Sequence, residues 1–98
     1  MIVPKVHGAK LHEVSSEALA DCSALLGQVA GSLVKSGLAT DYNVLQNNGK
    51  LAHQEVDHVH FHIIPKTEIQ GLEIKWNSIS LPKEKLVHIG DQIRASSK

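Results

Sequence analysis

The sequence predicts an α+β protein in which a short antiparallel sheet accompanies a long central helix and a C-terminal helix. Three observations predict this class. Apolar residues recur at helical spacing in residues 15–36, alternation is present in residues 41–46 and 58–64, and a second helical pattern occupies residues 80–97. Since 98 residues suffice for one small domain, we expect residues 1–98 to form a single domain.

The N-terminal stretch MIVPK predicts the last residues of a strand, because Pro4 cannot donate to a continuing hydrogen-bond ladder. Residues 6–14 then predict a loop that contains Gly8. A strand this short at the very start of the chain also leads us to expect that a preceding segment of the domain is missing.

Residues 15–36 predict the central helix. Ser15 is a suitable N-cap, and Glu17 places negative charge in the first turn, where the helix dipole favours it. Gly37 suits the left-handed residue that ends many helices. One apolar stripe follows the helix and comprises Leu19, Cys22, Leu26, Val29 and Leu33.

Two strands are predicted after this helix. Residues 41–46 alternate in polarity and place Tyr42 and Val44 on one face. The sequence NNGK then indicates a turn. The second strand contains the histidines and is predicted to end at Pro65.

The rest of the chain predicts irregular structure followed by a helix. Residues 66–80 have no regular period. Residues 80–97 predict the C-terminal helix, with Pro82 in its first turn and an apolar stripe of Leu86, Ile89 and Ile93.

Composition argues against several partners and compartments. Ten basic residues balance ten acidic ones without a basic block, so we expect neither nucleic acid nor membrane as a partner. Cys22 is the only cysteine, which excludes an internal disulfide and favours a reducing compartment. No signal-peptide pattern and no apolar run near the ~20 residues of a spanning helix occur. We expect a soluble protein of the cytoplasm, with the nucleus as a second location.

The stretch HVHFHII, residues 58–64, carries the main functional signal. Alternate residues of a strand share a face, so His58, His60 and His62 would project together, with neighbours about 6.6–6.8 Å apart. Phe61 would point to the opposite face, and we expect it to be buried there.

Three interpretations of this row of histidines compete. A half-exposed strand can carry them by chance. Two of them can hold zinc with ligands from elsewhere, although one straight strand keeps the outer pair too far apart for all three to reach one ion. Alternatively, one imidazole attacks phosphorus while its neighbours orient it and stabilise phosphate charge. We favour the third interpretation and expect no cofactor and no tightly bound metal; further ligands for the metal alternative would be His7, His12 or His53.

Longer segments around the row support the nucleophile interpretation. The segments QEVDHVHFHIIPK, YNVLQNNGKLAHQ and IVPKVHGAKLHEVS resemble the histidine triad (HIT) family, whose signature is His-x-His-x-His followed by apolar residues. The resemblance covers residues 2–65 almost continuously and extends weakly to GLEIKW. It is nearest to the Hint branch, the nucleoside phosphoramidate hydrolases.

The resemblance implies a reaction and its site residues. The implied substrate is a purine nucleoside 5′-phosphoramidate, hydrolysed to the monophosphate through a covalent nucleotidyl-histidine intermediate. His60 would be the nucleophile, His58 would orient it, and His62 would contact the scissile phosphate. Asn47 and Gln54 would bind substrate, the former near ribose and phosphate and the latter by shaping the phosphate loop; plain turn and packing roles are the alternatives. A HIT fold and a homodimer joined through the central helix and the strand after it are also implied.

The chain departs from the family pattern in two respects. The family's early strands, base pocket and fourth histidine precede the segment that begins here at Met1, and Glu55 stands where many Hint members have serine. We therefore expect a truncated HIT-like domain that hydrolyses phosphoramidates poorly, because lost nucleoside binding energy no longer positions the phosphorus. The alternative function is a catalytically weak or inactive HIT-like module that dimerises.

Overall fold

The computed structural model describes residues 1–97 and confirms the predicted α+β class. Within these residues, two α-helices and one two-stranded antiparallel sheet are joined by connections that contain two short 3-10 helices. In chain order the elements are the 3-10 helix Leu11–Glu13, helix α1 (Ser16–Lys35), strand β1 (Asp41–Leu45), the 3-10 helix Lys50–Ala52, strand β2 (His62–Lys66) and helix α2 (Lys83–Ser96).

Helix α1 forms where the sequence predicted it, because its start and stop signals are local. The Ser15 hydroxyl accepts a hydrogen bond from the Ala18 amide at 3.2 Å, as an N-cap should. Gly37 has φ 79°, the left-handed conformation expected after the helix. The predicted apolar stripe is wrong at Val29, which is 41% exposed, because the next residue, Ala30, turns inward instead and is 6% exposed.

Strands β1 and β2 pair antiparallel, from Asp41 opposite Lys66 to Leu45 opposite His62. Pro65 lies inside β2 and does not end the strand, which corrects the predicted boundary. Among the described residues β2 has only β1 as a partner strand, and a strand with one free edge tolerates a residue that lacks an amide proton. The predicted NNGK turn is likewise too short, since the strands are joined by the whole of residues 46–61.

The histidine segment pairs with the N-terminus and joins β2 only at its last histidine. Ile2 and Phe61 exchange two backbone hydrogen bonds of 2.8 Å, and the Val59 amide donates to the Gly8 carbonyl at 2.8 Å. The predicted strand over residues 58–64 therefore begins too early. Gly8 also packs closely against the next loop, since a Cβ at this position would lie 2.6 Å from Cγ2 of Val14.

The buried core described for residues 1–97 is small. Val59 is fully buried, whereas Phe61 is only half-buried, contrary to prediction. A chain of this size has few side chains with which to cover an aromatic ring. The buried apolar residues are Ile2, Val14, Cys22, Ala30, Ala39 and Val59.

The C-terminal third of the described chain lies largely outside this core. Residues 67–82 form neither helix nor strand, close to prediction, and no residue of α2 is buried. The predicted stripe is exposed at Leu86, Ile89 and Ile93, so none of its three members is buried by the described residues. The radius of gyration is 16.7 Å, against about 13 Å for a compact domain of this length. No helix in residues 1–97 is both long and apolar enough to cross a membrane.

We predict that Val59→Ala lowers the free energy of unfolding by about 2 kcal/mol, because the substitution removes two buried side-chain carbons and leaves a cavity. Urea unfolding followed by circular dichroism measures the change. Val56→Ala is the matched control, since Val56 is 62% exposed and should change stability by less than about 0.5 kcal/mol. Equal losses in the two variants would contradict the central place of Val59 in the core.

Candidate active site

One ring nitrogen of His60, the middle histidine, is hydrogen-bonded to the backbone. Its Nδ1 lies 2.7 Å from the carbonyl oxygen of His58. A carbonyl only accepts, so Nδ1 carries the proton and the neutral ring has its lone pair at Nε2. The imidazole is half-buried, and Nε2 is the atom through which it can act as a nucleophile.

His58 is held at both ring nitrogens. Its Nε2–H donates to the Pro4 carbonyl at 2.9 Å, and its Nδ1 lies 3.0 Å from Nδ1 of His7. Both partners belong to the N-terminal segment that pairs with residues 59–61. His58 thus links the histidine row to that segment.

His62 completes the row at the start of β2. Its ring meets that of His60 edge-on, with centroids 5.0 Å apart and planes inclined by 81°. His58 and His60 line a cavity of about 110 Å³ whose other lining residues are Met1, Val3 and Val56. The structure therefore brings the three imidazoles together although only His62 belongs to a regular strand.

The same residues do not form a cage for a metal. Across residues 1–97, no group of three His, Cys, Asp or Glu side chains is arranged to hold an ion. Of the further ligands considered, His7 contacts His58, whereas His12 and His53 are exposed.

Gln54 ties the loop between the strands to the N-terminal segment. Its side chain is 5% exposed; Oε1 accepts from the Gly49 amide at 2.7 Å and Nε2 donates to the Ala9 carbonyl at 2.6 Å. This geometry supports the predicted role of Gln54 in shaping the loop between the strands. Direct contact between Gln54 and substrate stays a prediction. The neighbouring Glu55 is exposed.

Asn47 lies on the wall of a larger cavity, about 490 Å³ in volume, that Leu45, His53 and residues 72–76 also line. It is half-buried, and its Nδ2 donates a long hydrogen bond of 3.5 Å to the His53 carbonyl. Its role toward substrate stays a prediction.

Two positioning contacts were missed by the sequence interpretation. Asn48, assigned only to a turn, accepts the Leu11 amide at 2.7 Å through Oδ1 and so joins the two loops. His7 was considered only as a metal ligand, and no local pattern points to its contact with His58, fifty-one residues away.

The structure thus places three imidazoles next to one another on an α+β scaffold, as the sequence resemblance to the histidine triad family implied. The family model described as HIT domain matches residues 1–69. The chain belongs to the HIT domain family.

Relatives and a solved structure agree with this assignment. The chain is 44% identical to adenosine 5′-monophosphoramidase hnt1 of Schizosaccharomyces pombe, over 100% of this chain and 71% of that protein. It is 47% identical to adenosine 5′-monophosphoramidase HNT1 of Saccharomyces cerevisiae, over 97% of this chain and 58% of that protein. The histidine triad nucleotide-binding protein from Candida albicans superposes with TM-score 0.80 at 37% identity, over 96% of this chain and 69% of that chain. The chain therefore spans between about three fifths and seven tenths of the length of these proteins.

We predict that Gln54→Ala destabilises the chain by roughly 1–3 kcal/mol, because it leaves the Gly49 amide and the Ala9 carbonyl without their partner. Urea unfolding gives the loss. Gln92→Ala, an exposed position in α2, is the control and should stay within about 0.5 kcal/mol of the unsubstituted chain. A Gln54→Ala variant as stable as this control would rule out the anchoring role.

Proposed function

We propose that this protein hydrolyses purine nucleoside 5′-phosphoramidates through a covalent intermediate on His60. The observation that carries the proposal is the hydrogen bond from His60 Nδ1 to the His58 carbonyl, which in the neutral ring places the lone pair on Nε2, the atom that would attack phosphorus. The relatives named adenosine 5′-monophosphoramidase support the choice of substrate class.

In the first step, the lone pair of His60 Nε2 forms a bond to phosphorus while the bond from phosphorus to the leaving nitrogen breaks. The departing nitrogen needs a proton, and His62 in its imidazolium form can supply it, since its ring adjoins that of His60. The same positive charge stabilises the phosphoryl oxygens in the transition state.

In the second step, water attacks phosphorus and the bond to His60 Nε2 breaks. The proton released by that water passes to neutral His62, which restores the starting state of both residues. The products are the nucleoside monophosphate and the free amine. Asn47 would contact the ribose or phosphate, as the resemblance implies, although it lines a different cavity from His58 and His60. Gln54 would hold the loop that carries Asn47.

We predict that His60→Ala lowers turnover of adenosine 5′-phosphoramidate at least ~1000-fold, because no covalent adduct can form. Chromatography of released adenosine monophosphate measures the rate. Mass spectrometry of reactions quenched in alkaline denaturant, in which a phosphorus–imidazole bond persists, should find an adenylyl group on the unsubstituted chain and none on the variant. His12→Ala, which changes an exposed histidine outside the row, is the control.

Activity that survives His60→Ala would show that the nucleophile is wrongly assigned. An unsubstituted chain that neither turns over nor becomes adenylylated would favour the inactive dimerising module instead.

We further propose that the protein is a homodimer joined through α1 and β1. Both elements expose apolar side chains that a second copy can cover: Leu25 (46%), Val29 (41%), Val34 (41%), Tyr42 (40%) and Val44 (51%). Covering such side chains removes apolar surface from water, which is the main driving force of stable association.

We predict a mass about twice the 10.6 kDa of one chain in light scattering after size-exclusion chromatography. Val44→Asp should shift the mass to that of one chain, because a carboxylate would have to be buried in the interface. Leu51→Asp is the control, since Leu51 is fully exposed in the 3-10 helix Lys50–Ala52. The interface assignment fails if the unsubstituted chain is a monomer or if both variants dissociate alike.

A further inference from the structure

His7 lies outside the histidine row but against its first member. Its Nδ1 is 3.0 Å from Nδ1 of His58, and the two ring centroids are 5.2 Å apart with planes inclined by 33°. His7 is exposed on its outer side, and the reaction steps proposed above use none of its atoms. Its contact with His58 therefore needs a separate explanation.

The hydrogen bonds of His58 fix the direction of this contact. Because Nε2 of His58 donates to the Pro4 carbonyl, the neutral ring has its lone pair at Nδ1. His7 must then be the donor, through its own Nδ1–H. The ring of His58 is thus held at two points by one segment of the chain.

Holding the ring of His58 also holds its backbone. The amide of His58 donates to the Val56 carbonyl at 2.8 Å, and the next amide, that of Val59, donates to Gly8. The peptide carbonyl between these two amides is the one that accepts from His60 Nδ1 at 2.7 Å. A shift of the ring would therefore move the group that selects the His60 tautomer.

We propose that His7 is a positioning residue: its Nδ1–H anchors His58, so that the His58 carbonyl keeps His60 in the tautomer with a free Nε2. This inference deepens the proposed function and rests on it. By this inference the N-terminal segment acts on the nucleophile indirectly: His7 holds His58, and the His58 carbonyl holds His60.

Side-chain ¹⁵N spectra of the full chain, without substrate, test the positioning separately from catalysis. The unsubstituted chain should show His60 protonated at Nδ1, with its signals identified by their loss in His60→Ala. His7→Ala should give a mixture of the two His60 tautomers. His7→Asn can place an amide N–H near the original Nδ1 and should restore the single tautomer, whereas the longer His7→Gln should not. His12→Ala is the matched control and should leave the His60 signals unchanged.

An unchanged His60 tautomer in His7→Ala overturns the proposal, whether or not the chain hydrolyses phosphoramidates. A change of equal size in His12→Ala overturns it as well, because the effect would then not depend on contact with His58.

Kinetics with adenosine 5′-phosphoramidate give the second measurement. His7→Ala should lower kcat roughly 10- to 100-fold, as expected for a misplaced nucleophile, with KM altered less than about twofold. His7→Asn should recover most of kcat. A raised KM with unchanged kcat, or no recovery in His7→Asn, contradicts a positioning role. If the unsubstituted chain is inactive, the proposed reaction fails and the spectra alone decide whether His7 controls the His60 tautomer.

Discussion

Backbone pairing between the N-terminal segment and residues 59–61 is the constraint on which the site depends. The bridge between Ile2 and Phe61 and the bond from the Val59 amide to the Gly8 carbonyl align two segments that are more than fifty residues apart. The side chain of Val59 is fully buried at this junction. The same backbone hydrogen bonds therefore bury the side chain of Val59 and position the imidazoles on either side of it.

The chemistry of the row is set mainly by backbone carbonyls. One carbonyl orients His58, another selects the tautomer of His60, and a third accepts the buried amide of Gln54 that holds the loop. A carbonyl can only accept a hydrogen bond, so in a neutral imidazole it fixes the proton on the ring nitrogen that faces it and leaves the lone pair on the other nitrogen. A carboxylate in the same position would stabilise the imidazolium, which is no nucleophile.

The parts of this structure that the sequence predicted are those fixed by local interactions. The N-cap Ser15, the terminal Gly37 and the helix between them follow from contacts within a few residues. The three histidines were identified as a group from strand alternation, but the regular strand β2 includes only His62, and Val59 and Phe61 pair instead with Gly8 and Ile2 of the N-terminal segment. Contacts between distant residues, such as His7 with His58 and Gln54 with Ala9, produce no periodic pattern in the sequence, so only the structure reveals them.

The size of the core connects the site to association between chains. Five of the six buried apolar side chains are those of Val14, Cys22, Ala30, Ala39 and Val59, each smaller than leucine and able to contribute only modestly to burial. Meanwhile α1, β1 and α2 all present larger apolar side chains to solvent. Association that covers such surface stabilises the folded chain by mass action, so its stability would rise with protein concentration. Because the histidine row is held by backbone pairs next to this small core, whatever stabilises the core also holds His60 in place.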